Sequence, residues 1–176
     1  MSTLRDLTHK NHEEAEAHPF TKLMLSGNMP GNIYGTFLAN QLVCYMELEG
    51  LARSKGLLNG IEGIARSEHI LRDIVWLGQP VYIGSPALKY VEHIKTLDEK
   101  QLLAHIYVRH MGDMYGGQLM KTKLPGKGYM FDFENRSELV KALREKLDVS
   151  MADEANVCFT HVLKLFDRLA LEFGIQ

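Results

Sequence analysis

Arg109-His110-Met111-Gly112-Asp113-Met114-Tyr115-Gly116-Gly117-Gln118 places three glycines inside a stretch that otherwise reads as helix. Each glycine in a helix interior costs about 1 kcal/mol relative to alanine. A helix bears that cost where something must approach its backbone closely, or where it must bend. Gly112 and Gly116 are one helical turn apart and open a bare strip on one face. Asp113 and Gly117 sit beside that strip. The pattern suits a flat, bulky object lying against helical backbone with one carboxylate at its edge.

The chain on either side is helical in pattern. Asp98 with Gln101 reads as a capping box that starts the glycine-bearing helix. Thr3 with Asp6 starts a first helix, and Pro19 ends it. After the Gly27-Asn28-Met29-Pro30 turn, apolar residues at Leu38, Leu42, Tyr45, Leu48 and Leu51 or Ala52 predict a long helix from about Asn32 to about Ser54. A helix from about Ile61 to Leu77 is closed by Gly78-Gln79-Pro80. Ser85-Pro86 reads as N-cap plus first-turn proline of a short helix to about Lys95. Pro125-Gly126-Lys127-Gly128 is a loop, followed by helices over about Ser137–Leu147 and Ser150–Phe173. Trp76, Phe37, Phe159, Leu163 and Phe166 read as core. No alternating strand run occurs. The expectation is an all-α helical bundle, one domain spanning residues 1–176.

Bulk properties narrow the function classes. The 176 residues are 45% hydrophobic and 24% charged, ordinary for a globular protein. A net charge of −2 argues against a nucleic-acid partner. Cys44 and Cys158 form no disulfide framework and fit a reducing compartment. The sequence shows neither a secretory signal nor the ~20 apolar residues of a membrane span. A cytoplasmic monomer is expected.

Eight histidines raise the question of metal. A di-iron bundle site needs Glu-x-x-His on two helices, and no histidine here has a glutamate three residues before it. Cys158-x-x-His161 has zinc-ligand spacing but no second pair beside it in sequence, so a structural zinc is not expected. On the first helix, Arg5 and His12 are seven residues apart, which puts them about 20° from each other and roughly 10 Å along the axis. A solvated polar face explains that spacing. An axial metal ligand with a cation reaching an acidic edge group of the same flat ligand explains it too.

Leu4-Arg5-Asp6-Leu7-Thr8-His9-Lys10-Asn11-His12, followed by Ala15-Glu16, resembles the proximal helix of heme oxygenases. The run from His110 to Gln118, preceded by His105, Tyr107 and Arg109, resembles their glycine-rich distal helix. Ser85-Pro86-Ala87-Leu88-Lys89-Tyr90-Val91 resembles the segment leading into it, and Asp153-Glu154-Ala155-Asn156 the last core helix. The resemblance covers nearly the whole chain in order. It implies a bundle holding heme b between proximal and distal helices, with heme as both substrate and cofactor. His12 would be the iron ligand and Glu16 would orient its second ring nitrogen. Gly112 and Gly116 would lie on the distal face, with Gly117 next to them. Asp113 would hold a water network that delivers protons to bound oxygen, and Arg109 would order it. Arg5, Tyr107, Lys141 and Arg144 would serve the heme propionates. The implied reaction consumes O2 and external electrons, with ferredoxin as donor, and yields biliverdin, carbon monoxide and ferrous iron. Lys121-Thr122-Lys123 and Lys127 read either as a solvated loop or as a docking rim for that donor.

Two departures from the family pattern stand out. Tyr115 occupies a position where the family often has serine. Leu42 or Val43 stands where a distal tyrosine is expected, and Tyr45 lies two or three residues away, off that face. The missing tyrosine is the one feature favouring an alternative, a non-catalytic heme-binding or heme-transfer protein. A third reading, a thiamin-degrading type of bundle, would need a pocket nucleophile such as Cys44. The chain closes at Phe173-Gly174-Ile175-Gln176 without a hydrophobic tail, so the soluble cyanobacterial type is the expected model.

Overall fold

The computed structural model describes residues 1–176 and is helical throughout. Its α-helices are α1 (Leu4–Ala17), α2 (Pro19–Leu25), α3 (Gly31–Ser54), α4 (Ser67–Leu77), α5 (Ser85–Ile94), α6 (Glu99–Ile106), α7 (Gly112–Met120), α8 (Arg136–Arg144) and α9 (Ala152–Phe173). A π-helical segment, Tyr107–Met111, joins α6 to α7. Short 3₁₀ turns lie at Glu62–Ile64, Tyr129–Phe131 and Val149–Met151. No helix is long and apolar enough to cross a membrane.

The two long helices, α3 and α9, frame the bundle. Both pack against α5 and α6, while α4 covers α3, and α1 and α2 cover α9. Phe20, Tyr34, Leu38, Tyr45, Leu48, Tyr90, Leu102 and Ile106 are fully buried among them. The Thr3–Asp6 and Asp98–Gln101 capping boxes both form. Pro19 ends α1 and also opens α2, where His18 is the N-cap: its Nδ1 accepts from Phe20 N–H at 3.0 Å.

Three local expectations need correction. The helix expected from Ile61 begins at Ser67, because the chain first makes a 3₁₀ turn whose carbonyls accept from Arg66. Gly84, not Ser85, is the N-cap of α5, and Ser85 makes no capping bond. Trp76 is 53% exposed rather than core, with the Lys127 ammonium 5.5 Å above its ring.

One buried carboxylate organises the centre. Glu49 of α3 reaches the N-terminus of α4, accepting from the Arg66 N–H at 2.7 Å and the Ser67 N–H at 3.1 Å. A helix N-terminus favours such an anion. The same carboxylate accepts from His110 Nε2 at 2.8 Å, so it joins α3, α4 and the π segment. Arg66 then donates to the Met130 and Asp132 carbonyls, and Asp73 accepts from the N–H groups of Tyr129 and Met130. Together they hold the Tyr129–Phe131 turn against α7. There the Phe131 ring fills the space beside Gly117, where any Cβ would overlap it.

Two predictions follow from this packing. Gly117→Ala forces the Phe131 ring to move and lowers unfolding free energy by about 1–3 kcal/mol in urea titration. Gly112→Ala, whose added Cβ meets nothing within 4 Å, stays within about 1 kcal/mol of wild type. For Glu49, burial acts to raise its pKa, but the bonds from His110, Ser67 and Arg66 prevail and hold it down to about 2, from 4.5. Its stabilisation is therefore complete above pH 4.5 and disappears as pH falls through about 2. Glu49→Gln should cost roughly 3 kcal/mol near neutral pH. It should also flatten the stability curve across that acid window, measured by denaturant midpoints at stepped pH.

Candidate active site

The α winding of the glycine-rich helix is interrupted where α6 gives way to the π segment. A π turn takes in an extra residue, which rotates the side chains that follow. Arg109, His110 and Asp113 all come to face α3 and are buried. On α3 they meet Gln41, Tyr45 and Glu49, residues spaced one turn apart on a single face. Arg109 Nη1 donates to Gln41 Oε1 at 3.1 Å, Tyr45 OH donates to Asp113 Oδ2 at 2.7 Å, and His110 Nε2 donates to Glu49.

This geometry corrects the expectation about the distal tyrosine. Tyr45 is not displaced from the face that matters; it is the residue of α3 that reaches Asp113. Leu42 and Val43 are only partly buried. The observation favouring a binding protein without chemistry is thereby removed.

Asp113 follows Gly112 in the chain and is buried on the α3 side of α7. Burial pushes its carboxyl up to about 7, even though His110, the Tyr45 hydroxyl, Arg66 and Arg109 all favour the ionised form. Burial and the nearby Asp113 raise the Tyr45 phenol far above its ordinary value, so it remains a donor. Arg109 stacks over Tyr90 at 4.1 Å, and its Nε is buried without a partner. Its head group turns toward α3 and Tyr90 rather than outward.

The opposite face of α7 is open. Gly112 and Gly116 are exposed, and a Cβ on either would meet nothing within 4 Å. Nothing within the protein requires glycine there. Gly117 differs: it is buried against Phe131 and faces away from the strip. Tyr115 is exposed beside the strip, and Arg144 of α8 donates to its hydroxyl. Lys141 is also exposed on α8.

Helix α1 divides into two faces. Leu4 and Thr8 are buried, with Asn11 and Ala15 continuing the same stripe against α9. Asn11 donates to Asn156 Oδ1 at 2.8 Å. Arg5, His12 and Glu16 share the exposed side. The His12 ring stands perpendicular to that of Phe159, centroids 6.1 Å apart, and its Nε2 is 3.6 Å from Glu16 Oε1. The Tyr107 and Thr8 hydroxyls lie 3.5 Å apart and connect α1 to the π segment.

Three participants escaped the sequence reading. Gln41 and Glu49 had no visible motif. Arg136 donates to the Met114 carbonyl at 2.7 Å and braces α7 from α8. Of the basic loop, Lys121 is paired with Asp132, while Lys123 and Lys127 stay exposed.

Comparison with known proteins bears on this arrangement. The family model described as heme oxygenase matches residues 1–166. The heme oxygenase of Pyropia yezoensis is 31% identical over 199 aligned residues, covering 94% of this chain and 84% of that protein. Heme oxygenase 2 of Rattus norvegicus is 27% identical over 94% of this chain, which spans 64% of the rat protein's length. Among solved structures, heme oxygenase-1 of the cyanobacterium Synechocystis, crystallised with heme, superposes with a TM-score of 0.82 at 24% identity, covering 98% of this chain and 94% of that one. Heme oxygenase-2 of Synechocystis, crystallised with heme and NO, gives 0.81 at 25% identity, covering 94% and 83%. The helical fold, the glycine-rich α7 and the match along nearly the full sequence agree: this chain belongs to the heme oxygenase family.

Proposed function

We propose that this protein cleaves heme oxidatively to biliverdin, carbon monoxide and ferrous iron, with O2 and electrons from an acidic donor of the ferredoxin class. The observation that carries this reading is the buried Tyr45–Asp113 pair on one face of the helix whose other face carries the open Gly112–Gly116 strip. The residues fit heme. The strip offers a backbone surface with no side chain within 4 Å of the missing Cβ positions, and the Asp113 carboxyl next to Gly112 in the chain is pushed up to about 7 by burial.

In this reading His12 would hold the iron, and Glu16, 3.6 Å from its ring, would orient it. Arg5, Tyr107, Lys141 and Arg144 serve the two propionates, with Tyr115 helping to position Arg144. When bound, heme supplies oxygen activation at its own iron and is itself the molecule cleaved. Gly112 and Gly116 would give the bound ring a close backbone wall with no acidic side chain of their own. Asp113, its carboxyl pushed up to about 7 by burial, keeps a substantial protonated fraction near neutral pH and would pass that proton on through water. Tyr45 fixes the orientation of that carboxyl by donating to Oδ2. Arg109, anchored on Gln41 and Tyr90, keeps the π segment rigid and holds positive charge near Asp113. Exposed Lys123 and Lys127 offer a rim for the acidic donor. The protein works as a cytoplasmic monomer in this account.

The test is a hemin titration followed by turnover with reduced ferredoxin. Wild type gives a sharp Soret band, and His12→Ala broadens or shifts it. Asp113→Asn binds hemin with nearly unchanged affinity but forms biliverdin about 100-fold more slowly. Because the protonated carboxyl is the competent form, the wild-type rate falls as pH rises through about 7. The Tyr45 hydrogen bond favours the carboxylate, so Tyr45→Phe moves that midpoint upward. Reversing Lys123 and Lys127 raises KM for ferredoxin several-fold with kcat retained. Asp113→Asn turnover equal to wild type would overturn the proton-delivery assignment. An unchanged spectrum in His12→Ala would overturn the ligand.

A further inference from the structure

Away from the α7 strip, three helices bring a second set of donor atoms together. His93 of α5 and His105 of α6 both direct Nε2 at the same oxygen of Glu154 on α9, Oε1, at 2.6 Å and 2.7 Å. The donor atoms of the three side chains lie within 4.8 Å of one another. His161, two turns along α9 from Glu154, places its ring 4.9 Å from that of His93. His105 is fully buried, and its Nδ1 lies 2.8 Å from Tyr90 OH. That bond fixes the ring so that Nε2 faces the cluster, the kind of outer support that ligating histidines use. His93 is 29% exposed on its side chain, which leaves a path from solvent.

We propose that His93, His105 and Glu154, with the His161 ring packed beside them, form a binding site for a divalent cation of the zinc class. Imidazole and carboxylate donors suit that class, and three or four of them make a tetrahedral shell at about 2.0–2.2 Å from the metal. Donor atoms in such a shell are roughly 3.3 Å apart, so the two contacts to Glu154 open by about 0.6 Å on binding. Glu154 has the freedom to make that movement because its side chain is partly exposed. Cys158-x-x-His161 offers only one ligand pair in sequence. The fold supplies partners from α5 and α6 and gathers them on Glu154 rather than on Cys158. The cluster is also tied to the candidate active site, since Tyr90 carries both the contact to His105 and the Arg109 guanidinium. The proposal itself does not depend on heme chemistry.

Equilibrium dialysis of the full chain against zinc, with and without bound hemin, tests it. Wild type should retain stoichiometric zinc in both states and show a higher thermal midpoint when loaded. His93→Ala with His161→Ala, both on partly exposed positions, should weaken binding about tenfold or more and abolish the thermal shift. His9→Ala with His12→Ala, which removes the two i,i+4 histidine–glutamate pairs of α1, should leave this zinc in place. No stoichiometric zinc in wild type would overturn the proposal and leave the cluster as a hydrogen-bonded crosslink. Zinc lost in the His9/His12 variant but kept in the His93/His161 variant would overturn it equally.

Discussion

The buried polar seam between α3 and the π-interrupted distal helix is the constraint on which the rest depends. Gln41, Tyr45 and Glu49 face Arg109, Asp113 and His110 in a region almost closed to water. Buried polar groups carry a high cost when unpaired, so these pairs tolerate little displacement. They fix the rotation of the helix at its π segment. With that rotation set, Gly117 has to face Phe131, and Gly112 and Gly116 have to face outward. The open strip is thus a consequence of what is satisfied behind it. The same seam places a carboxyl of raised pKa on the buried side of that helix, which joins the packing to the chemistry.

Much of this was legible in the sequence. The capping boxes, the long α3 and the position of the glycine cluster depend on local spacing, and local spacing is what helices obey. The division of α1 into a buried stripe and an exposed Arg5–His12–Glu16 side was implicit in the seven-residue interval. What local spacing could not yield was the partner of Asp113. That partner depends on how α3 crosses a π-distorted helix, and the extra residue in that turn shifts the facing register. Tyr45 was therefore visible but misplaced. Trp76 was misread because helical periodicity marks a face without revealing what covers it. Glu49 capping α4 from a different helix, and the convergence of His93, His105 and Glu154, are tertiary facts with no sequence interval to announce them.

The three glycines serve two purposes that one motif conceals. Gly117 is required by the protein's own packing, whereas Gly112 and Gly116 are left bare with nothing of the protein against them. Stability and substrate binding should accordingly separate along the same helix. The residues bracing that helix come from every side: Arg136 from α8, Glu49 from α3, and Arg66 and Asp73 through the Tyr129–Phe131 turn. Such bracing keeps backbone close to a flat ligand without a side chain in between, and a reaction directed at one edge of a ring needs that rigidity.

The most direct test of the central claim is a single-turnover product assay on the hemin-loaded protein, supplied with reduced ferredoxin in air. The account predicts that the Soret band decays while biliverdin appears in proportion, with carbon monoxide released alongside. A Soret band that persists under these conditions, or decays without biliverdin, would contradict it.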